Sequence, residues 1–227
     1  MIMQLLLHNI PIILEVIAMP PRVKFSKDEI TAAALEIARR NGIDAVTARD
    51  VGAELGVSSR PIFTWFDSME QLKESVCEAA IDIWKNYLQQ GLASPRPFLG
   101  TGKQYIRFAR EEPNLYKLLF LSAPIGKTNG AIEAIKMTME SAKASIMKNY
   151  NLNEATANKF MRNMWLLTTT FATLIVTGSC PYSDEEMEQI MCEVNASLYL
   201  GYKKLKGLAD GTFDFKQLFS DIHDDRI

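Results

Sequence analysis

Residues whose types could read DNA lie close together between Gly56 and Trp65. The run Ser58-Ser59-Arg60-Pro61 follows a glycine that permits a tight turn between two short helices. Arginine can make a bidentate contact to guanine, and serine hydroxyls can donate to phosphates or bases. Pro61 falls in a first helical turn, where its missing N–H costs little. The pattern predicts a helix-turn-helix whose second helix starts at Ser58 and lies in the major groove.

The second helix of this motif should present two different faces. Ile62 and Phe66 are expected to face inward and to pack on the two preceding helices. Phe63, Thr64 and Trp65 are then left on or near the DNA side.

The same pattern also has an interpretation without DNA. A helix–glycine–helix corner is common in all-α proteins, and the spacing alone does not decide between the two. Local charge does not decide either, because residues 21–72 contain seven basic and eight acidic side chains. With a net charge of −2 for the whole chain, any contact to nucleic acid must come from a local surface. One such patch is conceivable from these residues: Arg22, Lys24, Lys27, Arg49 and Arg60.

The sequence offers little for catalysis or metal binding. The two histidines, His8 and His223, lie near opposite ends, which argues against a His-rich metal site and against Ser-His or Cys-His catalysis. Cys77, Cys180 and Cys192 are widely spaced and odd in number, so no disulfide framework is indicated and a reducing cytoplasm is the simplest setting. We expect no enzyme, no metal and no cofactor. A thiol sensor stays open, although no basic residue obviously activates a thiolate.

The elements that must position these residues are helical. Capping boxes at Ser26–Glu29 and Ser183–Glu186, with a variant at Thr47–Asp50, mark helix starts, and Gly42 marks a helix end. No alternating β pattern of useful length occurs, so the predicted fold class is all-α: an N-terminal three-helix helix-turn-helix domain and a C-terminal helical ligand-binding and dimerisation domain. After helices over about 26–41, 47–55, 58–66 and 68–91, periodicity predicts helices over about 98–111, 114–122, 129–150, 154–177 and 184–206.

The expected domain organisation has four parts: an apolar extension (1–20), the helix-turn-helix domain (21–67), the helical body (68–207) and a tail (208–227). The extension lacks a basic region and a cleavage site, so it does not fit a signal peptide. Polar residues and a proline interrupt it, so it makes a poor membrane span. We favour translation from Met19; a segment that packs on the body or a partner, and a membrane anchor, are the alternatives.

The residues around the turn occur in an order that resembles a known family. The series runs through Ile30, Ala34-Leu35 and Gly42, then Thr47-x-x-x-Val51-Gly-x-x-Leu55-Gly56-Val57-Ser58, then Ile62-Phe63-x-Trp65-Phe66-x-Ser68-x-Glu70-x-Leu72. It resembles the N-terminal domain of the TetR family of bacterial repressors. The resemblance implies an Ω-shaped all-α dimer with a DNA-binding domain and a ligand-binding domain in each subunit.

The resemblance also implies DNA contacts at particular positions. Thr47 would contact a phosphate, Arg49 would lie near the backbone or a base, and Ser58, Ser59, Arg60 and Pro61 would face the groove. Phe63 stands where the family usually has a tyrosine that contacts a phosphate, and Met69 stands where lysine is common. Trp65 replaces His or Tyr, and its indole N–H could still donate to a phosphate. These departures predict fewer phosphate contacts, and the affinity for DNA should therefore depend less steeply on salt concentration. Residues 20–24 could form a basic arm.

The second half of the chain carries large, flexible and aromatic side chains typical of a pocket. Phe98–Tyr116 resembles a common C-terminal subgroup of the same family, but Thr169 and Thr170 replace the His-Gly pair of that subgroup, so no ligand is carried over. Methionines adapt to varied apolar partners, and threonines 168, 169, 170 and 173 could supply polar groups. For any single residue, a place in the core is the stronger alternative. The predicted pocket residues are Trp84, Tyr105, Phe108, Tyr116, Met137, Met161, Trp165, Thr169 and Phe171, with Met139, Phe160 and Met164 of the same kind.

The expected partners follow from these features. The helices over 154–177 and 184–206 are candidates for a homodimer interface, where Ala196, Ser197 and Gly201 would allow close approach; an intramolecular helix pair is the alternative. The predicted function is a cytoplasmic DNA-binding regulator, a repressor released from a palindromic operator by a small, largely apolar effector, with no membrane partner. A helical small-molecule-binding protein without DNA activity is the main alternative, and a membrane-tethered regulator is another.

Overall fold

The computed structural model describes residues 25–125 and 130–223. Its regular elements are helices, which confirms the all-α prediction. A 3₁₀ turn occupies Ile43–Ala45, and a π-helical turn at Lys117–Leu121 prolongs the sixth helix. The α-helices are α1 Lys27–Asn41, α2 Ala48–Glu54, α3 Ile62–Trp65, α4 Met69–Leu92, α5 Pro97–Glu111, α6 Pro113–Tyr116, α7 Gly130–Tyr150, α8 Glu154–Val176, α9 Asp184–Lys204 and α10 Phe215–His223. The expected apolar extension and basic arm lie outside the described residues.

The helix ends follow the local chemistry of the sequence. At the start of α1, Ser26 Oγ accepts from the Glu29 N–H at 3.2 Å, and Glu29 Oε2 accepts from the Ser26 N–H at 2.7 Å. The same reciprocal box starts α9 at Ser183. Gly42 and Gly56 have φ values of +86° and +66°, which other residues rarely adopt. These turns set the angles between α1, α2 and α3.

Helix α3 is shorter than the sequence predicts, because the expected start at Ser58 was wrong. It begins at Ile62, and Ser58 makes no capping contact to it. The residue before a proline is disfavoured in the helical region, and Pro61 has no N–H to donate. Residues 59–61 therefore form a turn, in which Ser59 O accepts from the Ile62 N–H at 3.2 Å.

The core of the N-terminal helices continues into the body. Ile30, Val51, Ile62, Phe66 and Leu72 are each at most 1% exposed, and they belong to one apolar cluster with the buried side chains of α4. Full burial of such a side chain contributes about 1.5–3 kcal/mol. The inward placement of Ile62 and Phe66 agrees with the sequence prediction.

Two connections join the N-terminal helices to the body. Helix α4 has 24 residues and is about 36 Å long. Its end crosses α5 so closely that a Cβ on Gly91 would lie 2.7 Å from Thr101 Cα. The second connection is between α1 and α6, where Arg39 Nε donates to Glu112 Oε2 at 2.9 Å and Asn114 Nδ2 donates to Arg39 O at 2.8 Å. The N-terminal helices are thus held to the body at two separate points.

Helix α9 packs partly against its own chain at a position expected in the dimer interface. A Cβ on Gly201 would lie 3.0 Å from Leu208 Cδ2, so this glycine accommodates the segment after α9. Ala196 and Ser197 are exposed, as a partner-facing position requires. No helix within residues 25–125 or 130–223 combines the length and hydrophobicity of a membrane span.

Candidate DNA-binding surface and ligand cavity

The turn between α2 and α3 presents two arginines to solvent. Arg49, on α2, and Arg60, before α3, are both exposed. Neither has an acidic side chain within ion-pair distance among the described residues, whereas the nearby Arg40 pairs with Glu54 at 2.6 Å. Both guanidinium groups are therefore available to an anionic partner such as a phosphate.

The other predicted DNA-contacting residues surround these arginines. Ser58 and Thr64 are exposed, and Ser59 and Pro61 are half-buried. Thr47 caps α2: its Oγ1 accepts from the Asp50 N–H at 3.2 Å and donates to Asp50 Oδ2 at 2.6 Å. The Thr47 hydroxyl proton is thus already engaged in this state.

The two aromatic residues of α3 differ in what they offer. Phe63 is 52% exposed and Trp65 is 43% exposed. The expectation that the indole N–H is free for a phosphate was wrong, because Trp65 Nε1 donates to Phe25 O at 2.8 Å. This bond anchors the chain just before α1 to the exposed face of α3. Trp65 therefore positions backbone beside the predicted DNA surface.

A cavity of about 460 Å³ lies within the helical body. It is formed by α5, α7, α8, α9 and the loop before α5. Its walls are mainly apolar, and four methionines contribute to them. The lining includes Arg96, Phe98, Leu99, Gly102, Tyr105, Thr138, Met139, Ala142, Asn149, Tyr150, Met161, Met164, Trp165, Thr168, Met191, Cys192 and Asn195.

The structure separates the predicted pocket residues into two groups. Tyr105, Met161 and Trp165 line the cavity, as do Met139 and Met164. The others lie outside its lining: Trp84, Phe108, Tyr116, Met137, Thr169 and Phe171. Three of these, Trp84, Phe108 and Tyr116, are fully buried in an aromatic cluster behind Tyr105, so packing explains their size.

Tyr105 joins the cavity to this aromatic cluster. Its ring packs edge-on against Trp84, with centroids 5.4 Å apart. Its hydroxyl lies 3.2 Å from the Tyr116 hydroxyl and accepts from Thr169 Oγ1 at 3.5 Å. Burial raises the pKa of Tyr105, so the phenol stays neutral at physiological pH. Tyr105 can therefore offer hydrogen bonding at the inner cavity wall but no charge.

The remaining polar groups of the inner wall are mostly engaged. Thr168 Oγ1 donates to Met164 O at 2.8 Å, and Thr138 Oγ1 donates to Ala134 O at 2.7 Å. Trp165 Nε1 lies near the Tyr105 hydroxyl, yet it forms no hydrogen bond with any described residue. A buried donor without a partner costs about 1–3 kcal/mol.

Several cavity residues could not be selected from the sequence. Phe98, Tyr150, Met191 and Asn195 come from different parts of three helices, and which side chains of these helices face inward depends on tertiary packing. The usable signal was periodicity in α9, where Met187, Met191 and Asn195 recur every four residues. That stripe predicts one inward face, but it does not say that the face borders a cavity.

Two short helices joined by a glycine turn, with exposed arginines at the turn, have the geometry of a DNA-binding helix-turn-helix. Residues 30–76 match the family model "Bacterial regulatory proteins, tetR family", and residues 98–194 match "Tetracyclin repressor-like, C-terminal domain". The chain belongs to the TetR family of bacterial transcriptional regulators.

Individual relatives are distant. An uncharacterised HTH-type transcriptional regulator of Mycobacterium tuberculosis is 24% identical over 158 residues, which cover 68% of this chain and 72% of the relative. A TetR-family regulator from Streptomyces coelicolor has a similar structure, with a TM-score of 0.63, 18% identity and coverage of 86% of this chain and 95% of that chain. A TetR variant from Acinetobacter baumannii, in complex with minocycline, has a TM-score of 0.52 at 16% identity, covering 81% and 99%. The solved structures support the fold.

Proposed function

We propose that this regulator is a homodimeric repressor that leaves a near-palindromic operator when a small, largely apolar ligand fills the cavity. The observation that carries the proposal is that α4 reaches both sites. Its first half packs in the helix-turn-helix core through Leu72 and Val76, and its end packs on α5 at Gly91. Since α5 also lines the cavity, a ligand that displaces α5 would move α4.

The proposed coupling requires that the ligand prefer one arrangement of α4 over the other. Such differential affinity is typically about 1–3 kcal/mol. The contact of Arg39 with Glu112 would also transmit a movement of α5 to α1, because Glu112 directly follows α5. A shift of α5 would then change the distance between the two recognition helices of a dimer, which must match half-sites about 34–36 Å apart.

The proposal assigns residues 21–67 to DNA binding, 68–207 to ligand binding and dimerisation, and 208–227 to the tail. The proposed DNA-binding set is the one the sequence predicts: Thr47, Arg49, Ser58, Ser59, Arg60, Pro61, Phe63, Thr64 and Trp65, with Trp65 acting through Phe25. The cytoplasm is the proposed site of action, because the DNA partner is there. The minocycline complex of the Acinetobacter protein supports a ligand role for a body of this fold, without carrying its ligand over.

The proposed dimer uses exposed faces of α8 and α9. Leu166 is 53% exposed and Leu200 is 52% exposed. They lie at a similar level along the helix pair, because Asn163 Nδ2 donates to Tyr202 OH at 3.2 Å. Two large apolar side chains on adjacent helices favour burial against a second copy.

DNA binding is tested with the duplex from immediately upstream of the chain's own gene. Fluorescence anisotropy should show saturable binding by a dimer, well above that for a scrambled duplex. Arg60→Ala should weaken specific binding by about 1–3 kcal/mol, whereas Lys216→Ala, which removes an exposed cation on α10, should leave it unchanged. Equal binding of Arg60→Ala and the unmodified chain would contradict the proposed recognition turn. Ligand binding retained without any DNA binding would favour the alternative of a small-molecule-binding protein.

A further inference from the structure

The cavity has a solvent end and an inner end with different chemistry. The lining residues Pro95, Arg96, Asn149 and Cys192 are exposed, so they mark the solvent end. Tyr105 is 2% exposed and lies at the inner end. Along α5, the seven-residue step from Phe98 to Tyr105 spans about 10 Å. The cavity is therefore elongated, with one end open to water.

The wall between the two ends suits a flexible apolar chain. Met139, Met161, Met164 and Met191 line it from three different helices. Methionine is unbranched and polarisable, so such a wall adapts to a chain without fixed shape. The hydroxyl protons of Thr138 and Thr168 are held by main-chain carbonyls of their own helices. No lining residue at the inner end carries a formal charge, so this end does not attract a charged head group.

The solvent end holds the one charged group of the described lining. No aspartate or glutamate lines the cavity, and Arg96 is its single charged residue. Arg107 and Arg110, on the helix that follows Arg96, are paired with Glu111 and Asp184. Arg96 has no acidic side chain within ion-pair distance in the described part of the chain. A guanidinium without a carboxylate partner can take one from a ligand.

We infer that the cavity binds a single-headed carboxylate amphiphile. The carboxylate pairs with Arg96 at the solvent end, and the apolar chain lies along the methionines toward Tyr105. A cationic amphiphile of the same length is disfavoured, because Arg96 repels its head group and no lining carboxylate compensates. This inference rests on the proposed ligand-binding role of the cavity and adds the charge and orientation of the ligand.

Calorimetric titration of the full chain with decanoate, decanol and decylammonium, below the concentrations at which they aggregate, tests the head group. Decanoate should bind about threefold to fivefold more tightly than decanol, the size expected of a partly exposed ion pair. Decylammonium should bind more weakly than decanol. Arg96→Gln should remove the advantage of decanoate over decanol, whereas Lys216→Gln, at an exposed cation on α10, should keep it.

The location is tested with Gly102, which lines the cavity. A Cβ there would meet only Met191 Sδ at 3.8 Å and Thr168 Oγ1 at 3.9 Å, so a larger side chain has room to enter. Gly102→Leu should abolish binding of decanoate and decanol alike, and circular dichroism should confirm that the variant stays helical. Gly102→Ala, a smaller change, should weaken binding less.

Three outcomes would overturn the inference: decanol or decylammonium binding as tightly as decanoate, an unchanged preference in Arg96→Gln, or no binding of decanoate. Operator anisotropy on the same samples keeps this failure separate from failure of the proposed function. Decanoate that binds in the cavity without releasing DNA would contradict the repressor mechanism while leaving the ligand class intact. Release of DNA by another compound, with decanoate inactive, would contradict the inferred ligand class while leaving the repressor mechanism intact.

Discussion

Arg39 and Glu112 are 73 residues apart, yet the Arg39 guanidinium donates to both carboxylate oxygens of Glu112. Arg39 lies in the last turn of α1, and Glu112 lies between α5 and α6. The side chain of Glu112 is only 11% exposed, so its carboxylate depends on this partner for compensation. The pair therefore ties the DNA-binding helices to the helix that lines the cavity.

Breaking the Arg39–Glu112 pair should lower the free energy of unfolding more than breaking the exposed Arg40–Glu54 pair. Arg39→Gln should lower the free energy of unfolding by about 1–2 kcal/mol, because it leaves a largely buried carboxylate unpaired. Arg40→Gln breaks only the exposed pair with Glu54 and should cost about 0–1 kcal/mol. Urea unfolding compares the two variants. An Arg40→Gln effect as large as that of Arg39→Gln would contradict the role of Glu112.

Phe63→Tyr should strengthen operator binding. Phe63 is exposed on the predicted DNA face, and the family resemblance implies that a tyrosine hydroxyl here contacts a phosphate. A new neutral hydrogen bond should add about 0.5–1.5 kcal/mol. Anisotropy titration measures the change, and Phe215→Tyr, an equally exposed phenylalanine on α10, is the matched control. A weaker or unchanged affinity for Phe63→Tyr would place Phe63 away from the DNA backbone.

Two glycine-to-alanine changes should act in opposite directions. Gly102→Ala should stabilise the fold by up to about 1 kcal/mol, because the added methyl has room and alanine favours the helix. Gly91→Ala should destabilise it by about 1–3 kcal/mol, because its Cβ would meet the α5 backbone at 2.7 Å. Thermal or urea unfolding measures both. Equal stability of the two variants would mean that α4 and α5 cross less closely than described.

The dimer should depend on Leu166 and Leu200. Glutamate at either position places a charge in the proposed α8–α9 interface, where its desolvation is unfavourable. Leu166→Glu and Leu200→Glu should therefore shift the chain toward monomer in sedimentation velocity experiments. Leu121→Glu changes a similarly exposed leucine outside α8 and α9 and should leave the dimer unaffected. Persistence of the dimer in both interface variants would assign dimerisation to another surface.

Acidification should remove the contribution of the Arg110–Asp184 ion pair to the stability of the fold. Arg110 donates to both carboxylate oxygens of Asp184 at 2.6 Å, and this contact lowers the pKa of Asp184 below its usual 3.8. A carboxylate with a lowered folded-state pKa stabilises the fold above its unfolded pKa, and this contribution is lost as pH falls through the folded value. Asp184→Asn should thus lose less stability on acidification below about pH 4 than the unmodified chain. Asp44→Asn is the control, and identical acid profiles for Asp184→Asn and the unmodified chain would contradict the prediction.

The sequence predicts local features of this fold well. The capping boxes at Ser26 and Ser183 and the inward placement of Ile62 and Phe66 depend on neighbours within a few residues, so pattern suffices. The predicted start of α3 at Ser58 was wrong, because Pro61 disfavours a helical conformation in the residue before it and the helix begins at Ile62. The Trp65 bond to Phe25 joins residues 40 apart and has no local signal.

The cavity residues were predicted less well, because their placement also depends on contacts between residues that are distant in the sequence. Large aromatic side chains indicate burial, but burial in a packed core and burial beside a cavity look alike in sequence. Trp84 and Phe108 fill the core, whereas Met191 and Asn195 border the cavity because α9 packs across α8. Only tertiary packing distinguishes these cases. Gly201 is likewise predicted from the sequence to face a partner subunit, yet it accommodates Leu208 of its own chain.

Selection from a pool of random duplexes by the full chain, at low salt, tests the central claim most directly. A repressor dimer should enrich a near-palindromic sequence with half-sites about 10–10.5 base pairs apart, or a multiple of this. Enrichment should fall for Arg60→Ala and persist for Lys216→Ala. A folded dimer that enriches no sequence would contradict the account, and the helical body would then be studied as a ligand-binding protein in its own right.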